Sequence, residues 1–178
     1  FTIDGDASLM ARRTALDWII RPALRTVPGV ADVNSLGGFV RSFEVRPDPA
    51  RMAAHGVDSL LIEAALRQNN RNDGAGRIEE GEETLLVRSQ GAVETLEDVR
   101  SLVLRVNEAA PVTIADVATV SIDAITRYGA VTQDGEGEAV QGLVLGLRGA
   151  NANEVVAGVA AKLEEIQPAL PEGMTINT

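Results

Sequence analysis

The stretches "TVPGVADVN" (residues 26–34) and "ALPEGMTIN" (residues 169–177) decide how the chain is read. Each follows a run of apolar residues at helical spacing, and each passes through a proline and a glycine into a short alternating segment. Before the first, Leu9, Leu16, Ile20, Leu24 and Val27 recur on one helical face from Ser8 onward, and Pro28 with Gly29 stops the run. Before the second, Val155, Val156, Val159, Ala160, Leu163 and Ile166 do the same, with Asn151 and Glu154 at the spacing of a capping box. Adding "FTID" (residues 1–4) ahead of the first helix and "AVQGLVLGL" (residues 139–147) ahead of the second gives two related strand-helix-strand units. Such a pair predicts an α+β fold, a split β-α-β sandwich of the ferredoxin-like type, with helices over one face of a mixed sheet.

Between the two units, roughly residues 44–125 carry their own alternation of elements. "VRPDPARMAAHGVDSLLIEAALRQNN" holds a proline-punctuated turn and a helix with Leu61, Ile62, Ala65 and Leu66 on one face. "RIEEGEETLLVRSQG" reads as a hairpin turning near Gly81, and "TLEDVRSLVL" as a short capped helix followed by a strand. "APVTIADVATVSI" reads as strands around one tight turn. The economical arrangement is an inserted second subdomain, from which the polar, glycine-rich "NNRNDGAGRIEEGEE" projects as a loop and hairpin.

Composition narrows the function classes. A chain of 178 residues can bury a sizeable core without metal or disulfide staples. Its formal charge of -10 and pI near 4.6 argue against a nucleic-acid partner and against an anionic membrane surface, both of which call for a basic face. Cysteine is absent, which excludes thiolate catalysis, zinc knuckles and disulfides. No run approaches a membrane span. The opening "FTID" reads as the middle of a strand without an initiator Met, so the expectation is a soluble piece of something longer.

Candidate chemistry is sparse. Gly37 and Gly38 precede "FVRSFEV", which alternates as a strand, so they form a strand-turn-strand connection and not a phosphate loop. His55, the single histidine, sits in a turn between helices and reads as solvated. Ser35, Ser42 and Ser89 lack an elbow motif and a histidine partner. Met10, Met52 and Met174 are scattered along the chain and form no soft-metal box. Asp32, inside "VADVNSL", falls on one strand face with Asn34 and Leu36. An unpaired carboxylate is unsuited to a dry core, which leaves two readings: a solvent-facing residue, or one lining a wet cleft where it touches a cation.

The order of segments adds a further reading. "GVADVNSLGGFV", "NNRNDGAG" with "RIEEGEETLLVRSQG", "PVTIADVATV" and "LPEGMTIN" together resemble the resistance-nodulation-division efflux pumps, and most of all their heavy-metal branch, over essentially the whole chain. The resemblance implies a porter subdomain of the N-terminal periplasmic loop, about residues 1–43 and 126–178, with a docking subdomain, about 44–125, inserted into it. It implies no enzyme and no cofactor. It implies a proton-driven exporter of a divalent heavy-metal cation, a homotrimer at the periplasmic face of the bacterial inner membrane, working with a periplasmic adaptor and an outer-membrane channel, with no direct membrane contact by this part.

Site residues follow by the same resemblance. Asp32 matches an acidic position that helps line the substrate cleft, with Asp4 as a second, weaker ligand of a partial metal site. Asn72, Asp73, Gly74, Gly76, Glu79, Glu80 and Glu82 match the loop that docking subdomains send into a neighbouring protomer, against the bland alternative of an idle surface loop. Two competing readings stand beside the metal pump. One is the same module in an exporter of organic compounds, weighed against by an aromatic content of 3% and by Asp32. The other is a free-standing ligand-binding or small α/β enzyme domain.

Overall fold

The computed structural model describes residues 1–70, 93–106, 110–135 and 137–178, and the backbone of two further strands within 73–89. In chain order the elements are β1 (Thr2–Asp4), α1 (Leu9–Ala15), a π-helical turn (Leu16–Ile20), α2 (Arg21–Leu24), β2 (Val30–Gly37), β3 (Arg41–Pro47), α3 (Pro49–His55), α4 (Ser59–Gln68), β4 (Asp73–Glu80) and β5 (Glu83–Ser89). They continue with α5 (Leu96–Ser101), β6 (Val103–Val106), β7 (Pro111–Thr113), α6 (Ile114–Val117), β8 (Ala118–Ala124), β9 (Val131–Gln133), β10 (Gly137–Gly146), α7 (Ala152–Ile166) and β11 (Thr175–Asn177). The chain divides into two compact units, Phe1–Ser42 with Ala124–Thr178, and Phe43–Asp123.

In the first unit the sheet runs β11-β1-β10-β2, with β9 against the start of β10. This is the split β-α-β arrangement, but the sheet is antiparallel throughout and not mixed. The reason is topological. The two strands that flank each helix run parallel, yet a strand of the other half lies between them, so every hydrogen-bonded neighbour is antiparallel. Both helical segments share one core with the sheet: Leu16, Ile20 and Leu24 from the first, and Leu163 and Ile166 from α7, meet Ile3, Val33 and Val140. On β10 the other phase of the alternation, Leu143 and Leu145, stays exposed, as does Leu36 across on β2.

The first helix is not uniform, and Pro22 explains why. A proline has no N–H to give the carbonyl four residues back, and its ring crowds that carbonyl. The ladder therefore widens just before it, with the Arg21 N–H bonded to the Leu16 carbonyl, five residues back. Ser8 caps the helix start by accepting from the Ala11 N–H at 3.2 Å. At the start of α7, Asn151 accepts from the Asn153 N–H at 3.1 Å, while its amide donates to Glu154 at 2.9 Å. Glu154 thus closes on the cap side chain, a variation on the expected capping box.

The second unit has its own core, built on Ile114, Val117, Val99 and Ile62. Asp48 and Asp58 cap α3 and α4, and Gly56 ends α3 in the left-handed conformation at φ 62°. Thr95 and Asp98 form a capping box at α5. Where the sequence predicts one tight turn in "APVTIADVATVSI", the chain instead makes the helical turn α6, because Thr113 and Asp116 form a second capping box. β4 and β5 pair antiparallel as a hairpin, with Glu80 opposite Glu83; the expected turn near Gly81 lies outside the described residues.

Candidate functional site

Asp32 lies on β2, the last strand of the sheet, in register with Leu145. Its carboxylate is not free. Arg21 at the start of α2 grips it side-on, Nε to Oδ1 at 3.1 Å and Nη2 to Oδ2 at 2.8 Å. Arg25, one turn further along, brings its Nε to 3.8 Å from Oδ1. The Val33 N–H donates to the same oxygen at 2.8 Å. The Arg21 hydrogen bonds, aided by that of Val33, hold the Asp32 carboxyl below its ordinary value. Both side chains remain over a third exposed, so this is a wet ion pair and not a core feature. Of the two readings open for Asp32, solvent-facing or cleft-lining, the geometry gives a carboxylate accessible to water and already matched by cationic side chains.

Asp4 closes β1, and Thr2 donates to it at 3.4 Å. It borders a depression of about 220 Å³ with Gln133, Asp134 and Glu138. Glu138 is occupied there by Arg127, whose guanidinium also stacks 4.0 Å over the Phe39 ring. Asp4 and Asp32 do not share a site. Ile3 is paired with Val140 and Asp32 with Leu145. Asp4, one residue beyond Ile3, is therefore about six strand positions from Asp32, roughly 20 Å at the rise of a β-strand. Among the described residues, no group of three or more His, Asp or Glu side chains is placed to hold a metal ion.

Of the expected docking residues, Asp73, Gly74, Gly76, Glu79 and Glu80 all belong to β4, whose register against β5 shifts between Gly74 and Gly76. Asn72 and Glu82 lie outside the described residues. His55 ends α3 and is exposed. The methionines are less scattered in space than in sequence: Met10 and Met174 border one cavity of about 410 Å³ beside Trp18, while Met52 packs on the core of the second unit. Residue reading missed Arg21 and Arg25, although their i, i+4 spacing in "RPALR", each one residue on from the apolar Ile20 and Leu24 and so flanking that stripe, was the available signal.

The sequence profile of the AcrB/AcrD/AcrF family matches residues 1–178. The chain belongs to the AcrB/AcrD/AcrF family. Membership meets the resistance-nodulation-division resemblance read from the motifs. Within the AcrB/AcrD/AcrF family it is 43% identical over 173 residues to nickel and cobalt resistance protein CnrA of Cupriavidus metallidurans, a match covering 97% of this chain and 16% of that protein. It is 39% identical over 175 residues to cation efflux system protein CusA of Escherichia coli, covering 98% and 17%. An X-ray structure of a heavy metal efflux pump superposes with a TM-score of 0.77 at 27% identity, over 98% of this chain and 17% of that one. The chain thus spans about a sixth of the length of these relatives. No helix among its described residues is long and apolar enough to cross a membrane.

Proposed function

We propose that the chain is the periplasmic porter and docking portion of a proton-driven exporter of divalent heavy-metal cations. The unit Phe1–Ser42 with Ala124–Thr178 would serve as the porter subdomain, and Phe43–Asp123 as the docking subdomain inserted into it. The observation that carries the reading is 43% identity, over 97% of this chain and 16% of the relative, to a protein named for nickel and cobalt resistance. In this reading the full-length protein is a homotrimer in the bacterial inner membrane that meets a periplasmic adaptor and an outer-membrane channel. The hairpin of β4 and β5 provides the contact with the next protomer.

Asp32 is the residue of this chain assigned to the substrate cleft. One carboxylate is an incomplete site, so capture of an ion needs further oxygen donors from the rest of the transporter, as suits hard and borderline cations. Asp4, roughly 20 Å away along the sheet, acts separately if it meets the ion at all. The reading is tested by expressing the full-length transporter in a metal-sensitive, efflux-deficient host. Raised tolerance to nickel, cobalt, zinc or cadmium, lost in Asp32→Asn, is expected. Raised tolerance to dyes and detergents with none to metals would overturn it in favour of an organic-substrate pump.

A further inference from the structure

Arg21 stands where a cation chelated by both oxygens of Asp32 would sit. It fills both carboxylate oxygens of Asp32 in one side-on contact. Arg25 adds a second positive charge 3.8 Å from Oδ1. While that guanidinium is in place no metal ion can be chelated by both oxygens of Asp32, because Arg21 takes a lone pair on each and the Val33 N–H takes a second on Oδ1. Two arginines beside the carboxylate also repel any approaching cation. Yet the pair is built to open. Both partners are exposed beyond a third of their surface, and ion pairs in that setting are weak and sensitive to salt. Arg21 closes the π-helical turn, its N–H bonded to the Leu16 carbonyl, and is followed directly by Pro22.

From this geometry we infer that Arg21 is an exchangeable counter-cation for Asp32, a gating residue that must be displaced before Asp32 can chelate a transported divalent cation through both oxygens. The inference rests on the assignment of Asp32 to the substrate cleft. Its consequence is a threshold. A divalent ion carries twice the charge of the guanidinium and can win the exchange, whereas sodium and potassium, which match the guanidinium only in charge and bring no bidentate geometry, do not. The device keeps Asp32 neutralised when no substrate is present and filters out the monovalent ions that dominate the surroundings.

The test uses the full-length transporter reconstituted in proteoliposomes, with the flux of Ni²⁺ and Co²⁺ measured against their concentration. Arg21→Gln is expected to lower the half-saturating concentration by about threefold, the scale of one weak exposed ion pair, without raising the maximal flux. It is also expected to make flux sensitive to added potassium. Arg25→Gln shifts half-saturation in the same direction by less. Asp32→Asn raises it, and adding Arg21→Gln to Asp32→Asn changes nothing more. An unchanged half-saturation in Arg21→Gln, or an equal shift in the Asp32→Asn background, overturns the inference while leaving metal export intact. Absence of metal flux in the unaltered transporter overturns the functional assignment itself, and the gating role with it.

Discussion

Asp32 and Gly5 carry the two sharpest residue-level consequences. The Asp32 carboxyl is held below its ordinary value of 3.8 chiefly by hydrogen bonds from Arg21. A carboxyl whose folded value is depressed stabilises the fold fully above the unfolded value. That contribution is lost as pH falls from there through the folded value. The stability of the chain should therefore drop more steeply below pH 3.8 than that of Asp32→Asn, and the two curves should run parallel above it. Denaturant titrations across pH 2–6 check this, and identical slopes in the acid limb would contradict it. Gly5 sits at φ 122°, and a Cβ there would lie 2.0 Å from the Gly173 carbonyl oxygen. Neither backbone can give way cheaply, so Gly5→Ala should destabilise the first unit by about 2 kcal/mol or more, read as a lowered midpoint in chemical denaturation. Nothing in the sequence singled out this crossing, since "DGD" reads as an ordinary turn until β1 and the approach to β11 are brought side by side.

At the scale of elements, both long helices were legible because their apolar residues keep one phase through a capped start and a proline-glycine stop. The π-helical turn was not, although Pro22 was visible. A widened turn preserves the apolar stripe from Leu16 to Leu24 and so leaves no mark on periodicity. That stripe is what docks the helix: Leu16, Ile20 and Leu24 are all fully buried. Ile20→Ala should cost about 2–5 kcal/mol and weaken the first unit, with hydrogen exchange rising along β1, β2 and β10. Helix α6 was missed for a different reason. Its four residues are too few for a period to register, and only the paired Thr113 and Asp116 caps announce it. The antiparallel sheet could not be read from two βαβ-like units, because adjacency between the halves is set by how they interleave. The site shows the same division. Asp32 stood out as a carboxylate inside a strand, but its arginine partners, Arg21 and Arg25, are eleven and seven residues back in the chain, and only the packing of α2 beside β2 brings them to it.

For the molecule as a whole, there are two cores with separate residue sets, and the chain leaves the first unit and returns to it, as the proposed insertion of a docking subdomain into a porter subdomain requires. The net charge of -10 suits a surface that concentrates cations. We propose that the full-length protein moves divalent heavy-metal ions at the expense of a proton gradient. The most direct measurement is the flux of Ni²⁺, Co²⁺, Zn²⁺ and Cd²⁺ across proteoliposomes containing the full-length transporter, with and without an imposed pH difference. Movement of at least one of these ions is expected, collapsing when the gradient is dissipated and falling severalfold in Asp32→Asn. Gradient-driven movement of an organic dye with no flux of any of the metals would contradict it.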